Sequence, residues 1–174
     1  NRIIRLIEVG STNTYIKDRS NLLKQHGLAV IAQMQTSGRG RTGKKFVSIP
    51  QKNLTFSVVL HPNLPIGEVQ IFSLLAGVVV ARVLDKYIKG VRLKWPNDVY
   101  GNGKKIAGLL IEKTFCGPEC VWVIGLGINV NMRGRGEIYN PIICTSLAEL
   151  SGYDQNRTKL ASGLVKALKT AWVA

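Results

Sequence analysis

The chain lacks the residues that build covalent or metal frameworks. Its three cysteines make no disulfide scaffold. Cys116 and Cys120 flank a Gly-Pro turn, and Cys144 stands alone. Zinc would need a fourth ligand, and His26 and His61 sit at no recognisable spacing for one. Reduced thiols in a cytoplasmic protein are therefore expected. Long apolar runs are also missing: no stretch approaches the roughly 18 residues of a membrane span. The opening Asn1-Arg2-Ile3-Ile4-Arg5 has no signal-peptide layout. Acidic residues are scarce, with 10 Asp and Glu against 24 Lys and Arg and a net charge of +14. That excess favours polyanionic partners. Its spread along the chain, with no basic tail and no helix-turn-helix, zinc-finger or RNA-recognition pattern, gives no support for specific DNA binding.

What is present fits one globular domain. A chain of 174 residues with 45% hydrophobic content is long enough to bury a sizeable core. Its centre of interest is Gln35-Thr36-Ser37-Gly38-Arg39-Gly40-Arg41-Thr42-Gly43-Lys44-Lys45-Phe46. The glycines permit tight backbone paths. Arginine offers a planar fork, and lysine a flexible point charge, to carboxylate or phosphate. The loop imitates a dinucleotide fingerprint at Gly38, Gly40 and Gly43, and a P-loop at Gly38, Gly43 and Lys44. Both motifs require a helix after the loop. Here Phe46 to Pro50 and then the apolar run Leu54 to Leu60 read as strand. Lys45 also stands where a P-loop needs Ser or Thr, so both motifs are rejected.

In order, the chain predicts a strand over Ile3 to Val9, a helix over Thr14 to Gln25 capped by Ser11 or Thr12, and strands over Leu28 to Gln35 and Leu54 to Leu60. His61 to Pro65 breaks the last of these. A long helix over Glu68 to Tyr87 follows, with Ile71, Leu74, Leu75, Val78, Val79 and Val83 as its core stripe. Strands are expected over Val91 to Lys94, Lys105 to Lys113 and Val121 to Val130, then a loop over Met132 to Ile142. A capping box at Ser146 opens a short helix, and Arg157 to Trp172 forms the last one. Gly108, Gly125 and Gly127 lie inside strands, where glycine is costly unless something approaches closely. They suggest either a smooth floor for a flat ring or tight helix packing. The fold class is α+β, a mixed, mostly antiparallel sheet with helices on one side.

Five motifs in fixed order now carry a resemblance. Ser11-Thr12-Asn13, Gln35 with Gly38-Arg39-Gly40-Arg41-x-Gly43-Lys44, Lys94-Trp95-Pro96-Asn97-Asp98, Lys105 to Glu112 (KIAGLLIE) and Gly125 to Asn131 (GLGINVN) together resemble biotin protein ligase, the biotin–[acetyl-CoA-carboxylase] ligase. They cover nearly the whole chain. The resemblance implies the class II aminoacyl-tRNA synthetase-like fold. It also implies that biotin and MgATP form biotinyl-5′-AMP, which is then passed to a lysine of a biotin carboxyl carrier domain.

By family position, Ser11, Thr12, Asn13 and Gln35 are implied to contact biotin, chiefly its ureido ring, with Gly38, Gly40 and Arg41 also at the biotin site. Gly108, Gly125 and Gly127 would floor the slot. Arg39 and Lys105 would hold the carboxylate, and with Arg41 form the catalytic set. Arg41, Lys44, Phe46, Lys94, Asn97 and Asn129 would meet ATP, and Asp98 is the candidate for assisting Mg²⁺. Phe46 and Lys44 replace the Trp and Arg of many members. The whole chain, 1–174, is read as the catalytic domain, without an N-terminal DNA-binding domain or the small C-terminal β domain. A homodimer is compatible with the family but is not indicated by this sequence. The rival readings are a lipoate or octanoate ligase of the same superfamily and a basic nucleic-acid-binding module.

Overall fold

The computed structural model describes residues 2–61, 69–134 and 143–172. Seven strands form one sheet in the order β1-β2-β3-β7-β6-β5-β4. They are β1 Ile3–Val9, β2 Ala29–Gln35, β3 Asn53–Leu60, β4 Arg92–Lys94, β5 Asp98–Gly101, β6 Lys104–Cys116 and β7 Glu119–Asn129. Only β1 and β2 pair in parallel; every other neighbouring pair is antiparallel. This is the mixed, mostly antiparallel α+β architecture expected from the strand pattern.

The helices cover both faces, not one side. Alternation along the central strands explains why. Phe56, Val58 and Leu60 of β3, with Trp122, Ile124, Leu126 and Ile128 of β7, point to one face. There they pack against α3 (Val69–Leu84) and α5 (Arg157–Thr170). Val59, Val121 and Val123 point the other way and meet Ile16, Leu22 and Leu23. Those come from α1 (Thr12–Lys17) and α2 (Ser20–Leu23). The short α4 (Leu147–Ser151) is capped by Ser146, whose hydroxyl accepts from the Glu149 amide, and is closed by Gly152 at φ 88°.

Three expectations change in detail. Asp98–Gly101 forms the strand β5, where only the break after Pro96 and a turn from Gly101 were expected. The helix expected over Thr14 to Gln25 is broken into α1 and α2, because Arg19 is extended at φ −132°. Its guanidinium folds back over the Tyr15 ring at 3.8 Å and donates to the Tyr15 carbonyl, sealing the end of α1. In α3 the buried stripe is Phe72, Ala76, Val80, Val83 and Leu84, whereas Ile71, Leu74 and Leu75 are exposed. This helix is apolar on all sides, so periodicity does not select a face. Small residues do: Gly77 lets Leu93 come so close that a Cβ would stand 2.6 Å from it. The start of that helix at Glu68, the break at Pro62 to Pro65 and most of the Met132 to Ile142 loop lie outside the described residues.

Candidate functional site

The face that carries α1 also carries a cleft of about 400 Å³. Its floor follows from strand alternation. On β7 the residues that turn away from the main core include Gly125 and Gly127. On β6 they include Gly108, Leu110 and Glu112. Gly108 stands opposite Gly127, and Leu110 opposite Gly125. Missing side chains leave room for neighbours to come down onto the sheet. A Cβ on Gly125 would collide with the Asn13 amide, and one on Gly127 with the Phe46 ring. The strand glycines thus accommodate a helix-start side chain and a loop aromatic.

One wall is the start of α1. Ser11 caps the helix by accepting from the Thr14 amide. Thr12 donates to Gln35 Oε1 from both its backbone N–H, at 2.8 Å, and its hydroxyl, at 3.0 Å. Beneath them lies Ser57, fully buried on β3, with its hydroxyl 2.6 Å from that of Thr12 and 2.5 Å from Asn13 Oδ1. Asn13 Nδ2 donates to the Leu110 carbonyl at 3.2 Å and to Glu112 at 2.8 Å. Every polar atom of the Asn13 side chain is therefore engaged.

The opposite wall is the glycine–arginine loop. It closes on itself through Gly40 N–H to the Lys44 carbonyl at 2.6 Å and Phe46 N–H to the Gly38 carbonyl at 2.9 Å. Thr42 at φ 52° and Gly43 at φ 74° make the turn between. Arg39 Nη2 donates to Thr14 Oγ1 and Glu112 Oε2, each at 3.0 Å. Arg41 and Lys44 are exposed and make no ion pair among the described residues.

Asn97, Asp98 and Lys105 close the far end. Asn97 Nδ2 donates to the Leu109 carbonyl at 2.8 Å. Lys105 Nζ stands 2.7 Å from Asp98 Oδ1. Cys144 bridges beside Lys105, and burial, opposed by the Lys105 charge, pushes its thiol pKa up. Around the cleft Arg39, Arg41, Lys44, Lys45 and Lys105 face one lining carboxylate, Asp98. Such a site attracts anions. It does not fit a resident metal. Asp98 is already neutralised by Lys105, and no cluster of three acidic, His or Cys groups occurs among the described residues. Magnesium would have to enter with a nucleotide's phosphates.

Most of the residues singled out in the sequence line this cleft: Ser11, Thr12, Asn13, Gln35, Arg39, Gly40, Arg41, Lys44, Phe46, Asn97, Asp98, Lys105, Gly108, Gly125 and Gly127. Three do not. Gly38 sits at the loop base, where a Cβ would strike the Phe46 carbonyl. Lys94 turns its amine to Tyr100. Asn129 accepts from Asn53 and donates to the Thr145 carbonyl. Sequence reasoning passed over Thr14, Lys17, Ser57 and the side-chain role of Glu112. For Ser57 a signal existed: Thr55 and Ser57 alternate with Leu54, Phe56 and Val58, marking a polar face inside an apolar strand.

Residues 6–129 match the model of the biotin/lipoate A/B protein ligase family. The chain belongs to that family. The bifunctional ligase/repressor BirA of Escherichia coli is 40% identical over a 169-residue alignment that covers 94% of this chain and 51% of that protein. The biotin–[acetyl-CoA-carboxylase] ligase of Mycobacterium tuberculosis is 32% identical over 168 residues, 93% of this chain and 60% of that one. A solved structure of biotin protein ligase from Aquifex aeolicus in complex with biotin and ATP superposes with a TM-score of 0.83. It is 33% identical, covering 99% of this chain and 70% of its own. The ligase fold is thus the one expected, while the chain spans about half the length of the BirA relative. No helix among the described residues is long and apolar enough to cross a membrane.

Proposed function

We propose that this chain carries the catalytic centre of a biotin protein ligase. One observation supports the reading above others: a single cleft unites a polar helix start, a glycine floor and a cationic loop. The first step joins two anions. A biotin carboxylate oxygen attacks the α-phosphorus of ATP, the bond to the departing oxygen breaks, and pyrophosphate leaves. Arg39 and Lys105 offset the repulsion at the carboxylate and then hold the acyl-phosphate link; Arg41 and Lys44 face the phosphates. Ser11, Thr12, Asn13 and Gln35 orient the ureido ring above the floor of Gly108, Gly125 and Gly127, from which the Phe46 ring has to withdraw. Asn97 meets the nucleotide.

In the second step the ε-amine of a carrier-domain lysine attacks the acyl carbon, and AMP leaves with the bonding pair. The amine's proton passes to Asp98 or to solvent. If Asp98 takes it, Asp98→Asn slows transfer from preformed biotinyl-AMP; unchanged transfer assigns the proton to solvent. The reaction belongs in an ATP-containing, reducing compartment such as the cytoplasm, in keeping with three free thiols. Pyrophosphate exchange into ATP, run in parallel with biotin, lipoate and octanoate, tests the activity. Exchange with biotin alone is expected. Exchange with lipoate or octanoate instead would move the chain to the lipoate branch of its family.

A further inference from the structure

We propose that Glu112 is a positioning residue for this cleft, acting through Arg39 and Asn13, an inference that rests on the ligase reading above. Glu112 does not itself line the cleft. It stands on β6 behind the α1 start, its side chain 18% exposed. Three side chains from two elements converge on its carboxylate. Asn13 and Lys17, one helical turn apart on α1, each donate to it at 2.8 Å. Arg39 reaches it from the glycine–arginine loop at 3.0 Å.

The donors explain what the carboxylate orients. Asn13 Nδ2 is shared between Glu112 and the Leu110 carbonyl, so Oδ1 must face Ser57 and the space above Gly125. A carboxylate only accepts, which forbids the flipped amide. Arg39 uses Nη2 for Thr14 and Glu112. Its Nε and Nη1 make no hydrogen bond among the described residues. Those donors remain for an anion in the cleft that Arg39 lines. Thr36 and Ser37 anchor the start of the loop to the Val9 and Gly10 carbonyls, and beyond them Arg39 ties the neck of the loop to β6. Without that tie a long side chain between two glycines would have to be ordered by the ligand.

Glu112 is suited to the task because it stays charged. Burial alone would raise its pKa. Hydrogen bonds from Lys17 and Asn13, and the charges of Lys17 and Arg39, outweigh burial and hold it below the usual carboxylate range.

The test is a double-mutant cycle read by calorimetric titration with biotin: wild type, Glu112→Gln, Arg39→Met and the double variant. Glutamine keeps an acceptor for Asn13 and removes the charge. Glu112→Gln is expected to weaken biotin binding by about ten-fold. The double variant should bind no more weakly than Arg39→Met by more than about two-fold, since the effect runs through Arg39. A residue that merely supports the fold would give losses that multiply. Wild-type affinity in Glu112→Gln, or multiplying losses, overturns the proposal. If Glu112→Gln melts early, Glu112→Asp, charged but shorter, takes its place with the same expectation. Amide exchange over residues 39–45 of the free protein is the second readout, and it should quicken in Glu112→Gln. Failure of the wild type to bind biotin would count against the ligase reading. The exchange experiment would still decide whether Glu112 tethers the loop, and unchanged exchange would overturn the proposal.

Discussion

The two faces of the sheet are made from alternate residues of the same strands, and they obey different rules. Phe56 and Ser57 are neighbours on β3, both fully buried. Phe56 joins the core under α3 and α5. Ser57 joins the hydrogen-bonded network under the α1 start. On the first face, side-chain volume is what matters, and apolar residues of similar size can replace one another. On the second, orientation matters, and so do the side chains that are missing at Gly125 and Gly127. A register slip of one residue would exchange the faces, placing Ser57 and the glycines in the core.

That contrast can be broken at single positions. Phe56→Ala should have the largest effect on stability, about 3–5 kcal/mol by urea unfolding, because it opens a cavity in a close-packed core. Biotin affinity of the remaining folded protein should be unchanged. Gly125→Ala should cost less stability, about 1–3 kcal/mol. It should weaken biotin binding more than Phe56→Ala does, since the new Cβ drives the Asn13 amide aside. Ser57→Ala should cost about 1 kcal/mol. Its effect should again appear mainly in the biotin titration, because Thr12 and Asn13 lose a common partner.

The smallest effect concerns pH. Glu112 has a depressed pKa in the folded protein. Its contribution to stability is therefore present above the unfolded-state value and is lost as pH falls through the folded value. Melting curves of wild type and Glu112→Gln should differ at neutral pH and converge below the usual carboxylate range. A constant gap across that range would separate Glu112 from the acid sensitivity of this face.

Much of the fold could be read from the sequence because strand alternation and turn residues are local signals. Six of the seven strands were anticipated, as was the α+β class; β5 (Asp98–Gly101) was missed because Pro96 before it and the Gly-Asn-Gly turn after it read as loop. Three further features were not legible. The exposed face of α3 escaped because a helix apolar on all sides has no periodic contrast; only packing at Gly77 decides it. The break between α1 and α2 depends on Arg19 folding back onto Tyr15, which spacing does not reveal. The placement of helices on both faces rests on β3 and β7 being apolar at both parities, with Val59, Val121 and Val123 facing α1 and α2, which a search for one apolar strand face overlooks.

The cleft was legible wherever a motif carried it: the triplet at Ser11, the loop at Arg39, and Lys105. It was not legible where distant residues meet. Glu112 and Arg39 are 73 positions apart in the chain, and only the β6 register and the loop's own closure bring them together. Lys94 shows the reverse case: it belongs to a strong motif, yet its amine faces Tyr100 and not the cleft.

The most direct test of the account is the capture of biotinyl-5′-AMP. The protein is incubated with biotin and ATP, freed of excess substrate and analysed by mass spectrometry under conditions that retain ligands. The account predicts the bound adenylate on the wild type, and its loss in Arg39→Met or Lys105→Met that still melts cooperatively. A folded wild type that accumulates no adenylate and releases no pyrophosphate would contradict it.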